Sequence, residues 1–467
     1  MRYREKDINI PDWISEHTYY AGKDSSRTYI SNEKQHTFLQ LDGVSSDFWY
    51  NLLHSDSFED FIVWVKSKNL MDFADDFIDE LSGYGLVLLN NSESKKNEIA
   101  IKEYLNDDSE NSNFVAERNK WLVENNFLAN VFFELTYRCN LRCVHCYNPK
   151  DMSNIEIPFD KVKEIIDDAY DLGCFSVTLS GGESTLHSKF ADIVEYIRSK
   201  RMSLEIFTNG QLLAKDSDLY KSICSCFPYR VGLSLYSTDG YEHEMVTNTV
   251  GSFDNTMSVI KKLRNDNINV QIKNFLLNIN CDGCFGVKKL AEKIGASVVP
   301  DLSLIPTIEG NKKTFQYVVD EKALFRLYTD PQSPLYIGLD TITYDVEKSK
   351  DLSLCLGGFT SLCITPTLDV NVCVSMPRPV GNINEASLKE IWNGAIHKDM
   401  SSKLYEWQKL TKSDLKECYT KDYCKFCNYC AGMGYLENGF LEKSDILCIQ
   451  ARTKQRAYNS IKQKENK

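Results

Sequence analysis

"VFFELTYRCNLRCVHC", residues Val131–Cys146, runs from an apolar, β-branched and aromatic stretch straight into three cysteines at a CxxxCxxC spacing. The first six residues read as a strand, so the cysteines stand on the loop that follows it. Working outward, five more strand patterns follow: "SVTLS" (Ser176–Ser180), "LEIFT" (Leu204–Thr208), "VGLSLY" (Val231–Tyr236), "VQIKNFLL" (Val270–Leu277) and "SVVPDLS" (Ser297–Ser303). Helical patterns such as "DKVKEIIDDAYDLG" and "FDNTMSVIKKLRNDN" separate them. Six β/α units in series predict an α/β fold, a parallel sheet curled by right-handed crossovers into a partial (β/α)6 barrel of TIM type. Ligand sites in such sheets lie at the carboxyl ends of the strands, which is where the cysteine loop falls.

Composition limits what those thiols do. The chain has 467 residues, a formal net charge of -12 and 16 cysteines. No run approaches the eighteen or more apolar residues of a membrane span, and the polar start "MRYREKDINIPDWISEH" has no apolar stretch for a signal peptide. The expectation is a soluble cytoplasmic protein, where thiols bind metal or do chemistry more often than they form disulfides. The acidic balance argues against a non-specific nucleic-acid binder.

A tetrahedral zinc site wants four ligands around one ion, and three cysteines with His145 in eight residues can hardly surround it. Three thiolates on a loop can hold three irons of a 4Fe-4S cluster and leave the fourth iron open. At the end of the second strand stands "SGGES", Ser180–Ser184, whose glycines let backbone approach a ligand. Together the two motifs resemble those of the radical S-adenosylmethionine (radical SAM) enzymes. That resemblance implies cluster ligation by Cys139, Cys143 and Cys146, with His145 at the aromatic position of the cysteine motif. It implies SAM contacts from Ser180, Gly181, Gly182 and Glu183, from Thr208 and Asn209 in "FTNG", and from Ser234. Ser184 stands where the family usually has proline. The chemistry implied is one-electron cleavage of SAM to a 5'-deoxyadenosyl radical that takes hydrogen from unactivated carbon, the protein supplying orientation and exclusion of water.

The last section carries eight cysteines: Cys355, Cys363, Cys373, Cys418, Cys424, Cys427, Cys430 and Cys448. The count is two sets of four, and two zinc ribbons would use the same number. The run "CITPTLDVNVC", "GNINEASLKEIWNG" and "CYTKDYCKFCNYC" resembles the SPASM extension of radical SAM enzymes, which implies two auxiliary Fe-S clusters and three 4Fe-4S clusters in all. Two departures stand out: Leu368 replaces the usual glycine, and CxxCxxC replaces a longer spacing. The expected sets are Cys355, Cys363 and Cys373 for the cluster nearer the active site and Cys424, Cys427, Cys430 and Cys448 for the outer one. Cys418 completes the nearer set or exchanges with an outer ligand. Full ligation by all eight favours electron relay over substrate binding at iron. Cys174, Cys224 and Cys226 read as packing residues, and "CDGC" (Cys281, Cys284) lacks the context of a redox pair.

The first section predicts a hairpin ("RTYIS", "HTFLQL") and three short amphipathic helices bearing Phe48 and Trp49, Phe61 and Val65, and Phe77, Ile78 and Leu81. Residues 1–90 hold 8 Lys plus Arg against 16 Asp plus Glu, so this winged-helix pattern would repel DNA. It resembles the PqqD-like domain that recognises leader peptides of ribosomally made, post-translationally modified peptides (RiPPs), with residues 20–90 taking an extended leader as an added strand. The expected organisation is a PqqD-like domain (1–95), a linker (96–126), the radical SAM barrel (127–305), a bridging region (306–350), the SPASM domain (351–453) and a tail (454–467). The N-terminal domain is expected to be separable from the barrel.

The reading is a peptide maturase that binds a precursor by its leader and installs a cross-link, a thioether first and a carbon-carbon or carbon-oxygen bond next, fed by an electron donor such as flavodoxin or ferredoxin. A peptide epimerase, a sulfatase-maturing type of oxidase and a non-catalytic leader-binding scaffold are the alternatives. No catalytic acid or base is legible; His187, Tyr236 and Asp239 are candidates facing the site.

Overall fold

A computed structural model of the chain describes residues 3–21, 26–89, 108–148, 154–339, 341, 343 and 345–465. The expected linker falls partly outside these; its described part is mostly the helix Asp108–Glu124.

The N-terminal unit begins with β1 (Ile8–Asn9), followed by β2 (Ile14–Tyr20), β3 (Ser26–Asn32) and β4 (Thr37–Asp42) in an antiparallel sheet of order β2-β3-β4. Helices α1 (Val44–His54), α2 (Phe58–Ser67) and α3 (Met71–Gly83) come next, then β5 (Leu88–Leu89), which pairs with β1. The predicted hairpin is β3 and β4; β2 is an extra strand. Alternation divides the sheet's residues between two environments. Ile14 and Ile30 pack with Phe48, Trp49, Phe61, Val65, Phe77, Ile78 and Leu81 of the helices. Tyr19, Tyr29 and Phe38 pack instead with Trp121, Leu122, Phe127 and Phe175 beneath the barrel.

The barrel sheet takes β6 (Asn130–Glu134), β7 (Ser176–Ser180), β8 (Ser203–Thr208), β9 (Arg230–Ser234), β10 (Val270–Phe275) and β11 (Ser297–Asp301), all parallel between neighbours, with each of the six strands where the sequence puts it. The C-terminal section extends the same sheet. β12 (Ser361–Ile364) pairs in parallel with β6, and β13 (Asp369–Asn371) and β14 (Gly381–Asn382) continue it to nine strands. Leu368 closes the turn between β12 and β13 with φ +65°, a left-handed backbone that glycine adopts freely and that costs leucine about 1 kcal/mol. The departure at this position thus keeps the backbone shape and changes only the side chain, which is buried.

One expectation about boundaries changes. The helix Asp445–Glu465 runs unbroken through residue 453, with Ala457 and Ile461 buried against the helix Glu321–Thr329, so residues 454–465 are not a tail. The N-terminal unit is also bonded directly to the barrel. Arg198 Nη1 donates to Ser15 Oγ (2.5 Å) and Arg198 Nη2 to Asp12 O (2.7 Å). Glu16 N donates to Arg201 O (2.9 Å), and Tyr19 Oη to Gly173 O (2.8 Å). Gly173, Phe175 and Arg201 immediately precede β7 and β8, so this unit sits at the amino ends of the barrel strands.

Candidate active site

The loop after β6 is fixed from both sides before its cysteines are considered. Leu135 N donates to Ser180 O (3.0 Å), Thr136 Oγ1 to Ile155 O (2.8 Å), Arg142 N to Thr247 O (3.1 Å) and Val144 N to Val246 O (2.9 Å). Cys139, Cys143 and Cys146 are electrostatic neighbours of one another at the carboxyl ends of the strands. Burial pushes the Cys139 thiol up to about 11 and Cys143 higher still, so both stay protonated unless a metal replaces the proton.

The glycine motif is stitched to this loop. Gly182 N donates to Thr136 O (2.7 Å) and Glu183 N to Arg138 O (2.8 Å). A Cβ on residue 182 would stand 2.3 Å from Arg138 O, and Gly181 holds φ +128°, so side chains are excluded at both positions. Glu183 is buried, which raises its pKa, and its carboxylate is already engaged. Oε1 accepts from Thr208 Oγ1 (2.6 Å) and Thr185 Oγ1 (2.5 Å), and Oε2 from Asn209 N (2.7 Å). Asn209 Nδ2 in turn lies 3.8 Å from Cys139 Sγ and 2.7 Å from Asn140 Oδ1. Glu183, Thr208 and Asn209 therefore form one hydrogen-bonded line from the glycine motif to the first cysteine. The Ser180–Gly182 main chain lies beside this line and is itself tied in, Gly181 O accepting from Asn148 Nδ2 (3.1 Å).

His145 stacks on Phe275 (4.7 Å between centroids, 11° between planes), and burial lowers its pKa to about 4. Its Nε2 is 3.5 Å from Tyr236 Oη, which is 4.0 Å from Cys143 Sγ. Ser234 ends β9 half-buried, two residues before Tyr236. Of the three candidate acids and bases, only Tyr236 touches the site. His187 is held by Ile157 O (Nε2, 2.7 Å) and by Lys189 N, which donates to Nδ1 (3.0 Å). Asp239 caps the helix Gly240–Thr247.

One residue is missing from the sequence expectations. Glu134, the last residue of β6, is 3 % exposed, accepts from Tyr147 Oη (3.1 Å) and lies near Cys363. Burial raises its pKa to about 7. A lone carboxylate ending the first strand, at the end where the cysteine loop begins, was the available signal. Because the folded state binds this proton more tightly than the unfolded chain, the stability it contributes is full below the ordinary glutamate range and is lost as pH rises through about 7. Glu134→Gln keeps an acceptor for Tyr147 and avoids the ionisation. It should be more stable than the parent at pH 8 by about 3 kcal/mol, with most of that gain gone at pH 5. Denaturant midpoints of the two proteins at the two pH values measure this, and an equal difference at both would refute it.

The eight C-terminal cysteines separate into two groups. Cys418, Cys424, Cys427 and Cys448 line one cavity of about 750 Å³ and interact electrostatically. Cys430 interacts with Cys355, and Cys373 with both, while Cys363 on β12 adjoins Cys373. Cys418 and Cys430 thus exchange places relative to the expected sets. Among the described residues no three His, Cys, Asp or Glu are gathered tightly enough for a single metal ion. All-thiol groups spread around a larger volume suit an iron-sulfur cluster in donor chemistry. The remaining cysteines include Cys174, Cys281 and Cys284, all buried in apolar surroundings.

Residues 133–280 match the Radical SAM superfamily, and residues 355–431 match the SPASM iron-sulfur cluster-binding domain. The chain carries a radical SAM domain and a SPASM domain. SAM and iron-sulfur clusters are the cofactors these domains imply, and the cysteine groups fit them. The chain is similar to the antilisterial bacteriocin subtilosin biosynthesis protein AlbA of Bacillus subtilis, 28% identical over 348 residues that cover 69% of this chain and 71% of that protein. It is also similar to the AdoMet-dependent heme synthase of Methanosarcina barkeri, 24% identical over 68% of this chain and 95% of that one. Among solved structures, Streptococcus suis SuiB bound to precursor peptide SuiA aligns with a TM-score of 0.57 and 16% identity over 94% of this chain and 99% of that one, a likeness of fold. No helix among the described residues is long and apolar enough to cross a membrane.

Proposed function

We propose that this radical SAM protein is a RiPP maturase that docks a precursor peptide through its N-terminal unit and installs a cross-link, a thioether in the first instance, in the peptide's core. The observation that carries the catalytic part is the convergence of the Cys139, Cys143 and Cys146 loop with the Ser180–Gly182 main chain at one end of the barrel. When bound there, the SAM-ligating 4Fe-4S cluster and SAM supply a radical able to remove hydrogen from unactivated carbon. The chain's own residues do the positioning. Asn209 and Tyr236 flank Cys139 and Cys143, the Phe275 and His145 rings wall the site, and Thr208 holds Glu183 in place. Glu134 is the buried group suited to accept a substrate proton near neutral pH.

The two SPASM groups are assigned one auxiliary cluster each, with Cys355, Cys363, Cys373 and Cys430 in the nearer and Cys418, Cys424, Cys427 and Cys448 in the outer. Four thiols in each favour electron relay, and a donor such as flavodoxin or ferredoxin supplies the electron that SAM cleavage consumes. The peptide reading draws on β4, which ends the three-stranded sheet and is paired with β3 alone among the described strands, and on the similarity to a bacteriocin biosynthesis protein. The similarity extends to a heme synthase as well. Co-expression with short reading frames encoded beside the gene tests the reading. A peptide lighter by two hydrogens per event is expected, whereas unchanged mass with inverted chirality would favour an epimerase.

A further inference from the structure

Three lysines approach the C-terminal cysteines, and they differ in which they reach: Lys443, ion-paired with Glu417 (2.6 Å), acts on Cys418 and Cys448 of the outer group. Lys454, on the helix Asp445–Glu465, lies 5.6 Å from the centre of the Tyr328 ring, and its charge acts on Cys427. The charge of Lys412 acts on Cys427 and on Cys355, one thiol from each group.

The main chain accounts for this position. Lys412 N donates to Leu352 O (3.0 Å), Thr411 bridges to Ser353, and Leu354 N donates to Leu410 O (3.0 Å). Residues 410–412 are therefore laced to the segment that leads directly into Cys355. From that anchor the side chain extends toward the other group, with Nζ 5.5 Å from the centre of the Tyr419 ring, next in sequence to Cys418. Lys412 is partly buried, where a charge is screened less than on the surface.

We propose that Lys412 is a cation shared by the two auxiliary sites, raising the reduction potential of both clusters held there. The proposal rests on the assignment of the two cysteine groups to clusters. Each reduction takes one electron from an external one-electron donor, makes and breaks no bond, and adds one negative charge to the cluster. A nearby ammonium favours that more negative state, and nearby charge is among the factors that set Fe-S potentials. Lys454 serves the outer site only and so provides an internal comparison.

The test is an anaerobic titration of the full-length, iron-reconstituted protein with dithionite, followed by electron paramagnetic resonance. Lys412→Met should lower both auxiliary midpoints, the ratio of reduced to oxidised cluster at a fixed potential falling at least tenfold, a shift of about 59 mV for one electron. The signal of the SAM-binding cluster should stay in place. Lys454→Met should lower the outer midpoint alone. Midpoints unchanged in Lys412→Met, a fall in only one of them, or equal falls in Lys454→Met would overturn the proposal. If Lys412→Met loses iron, Lys412→Arg decides: recovery of iron and of the parent midpoints supports a role for the charge, and no recovery means a packing role and overturns it. A parent protein that binds only about four irons would instead remove the cluster assignment itself.

Discussion

Replacing Cys139, Cys143 and Cys146 together by alanine is expected to abolish SAM cleavage and to remove about four of roughly twelve irons per chain. The loss should be confined to this site because the loop is held by its backbone. Arg142 and Val144 bond to Thr247 and Val246, and Thr136 bonds to Ile155, none of which involves a thiol. The eight C-terminal cysteines should keep their iron. Iron content and 5'-deoxyadenosine release, measured anaerobically, give the result. Stoichiometric zinc in the parent protein, or cleavage that survives the triple change, would overturn the assignment.

The second large effect is expected at β4. Gly43 N donates to Ser26 O (2.9 Å), and with the register of β3 against β4 this turns the N–H of Gln40 away from β3. Gln40→Pro therefore removes a donor that an added strand would use and leaves the β3 pairing intact. Modification of the full precursor should fall roughly 10²-fold, the scale of benefit that tethering confers, while SAM cleavage without peptide continues at the parent rate. A precursor modified equally fast by Gln40→Pro would exclude docking at this edge. Deleting residues 1–90 is a poorer test, since it would strip the cover from Phe127 and Phe175 and leave Arg198 without Ser15 and Asp12.

The six barrel strands and three N-terminal helices were legible because each carries its own periodicity, as Phe48, Phe61 and Phe77 illustrate. β2 was not, because "ISEHTYY" puts four polar residues in a row, and Tyr19 is buried in part by Trp121 and Phe127, far away in sequence. The pairing of β12 with β6 joins residues more than two hundred apart, and no local pattern encodes such a partner. Spacing alone could not sort Cys418 from Cys430, because the run between them is short turns and 3-10 helix whose course decides which thiols meet. Glu134 escaped notice because a single carboxylate in a strand reads as ordinary alternation until burial on both sides is known. The cysteine and glycine motifs were legible as a pair because each depends on its backbone: Gly182 must pass within contact distance of Arg138 O.

The placement of the N-terminal sheet at the amino ends of the barrel strands sets a ruler for any peptide held there. The cysteine loop opens at the opposite ends, a full strand away, and a strand of five residues such as β7 spans about 17 Å. At about 3.4 Å per extended residue, a tethered peptide needs on the order of five residues merely to traverse the barrel's height, and more to round its flank. Precursors whose modified position follows the docked segment too closely would be anchored yet out of reach, so the enzyme would select substrates by the length of an unmodified spacer as well as by sequence.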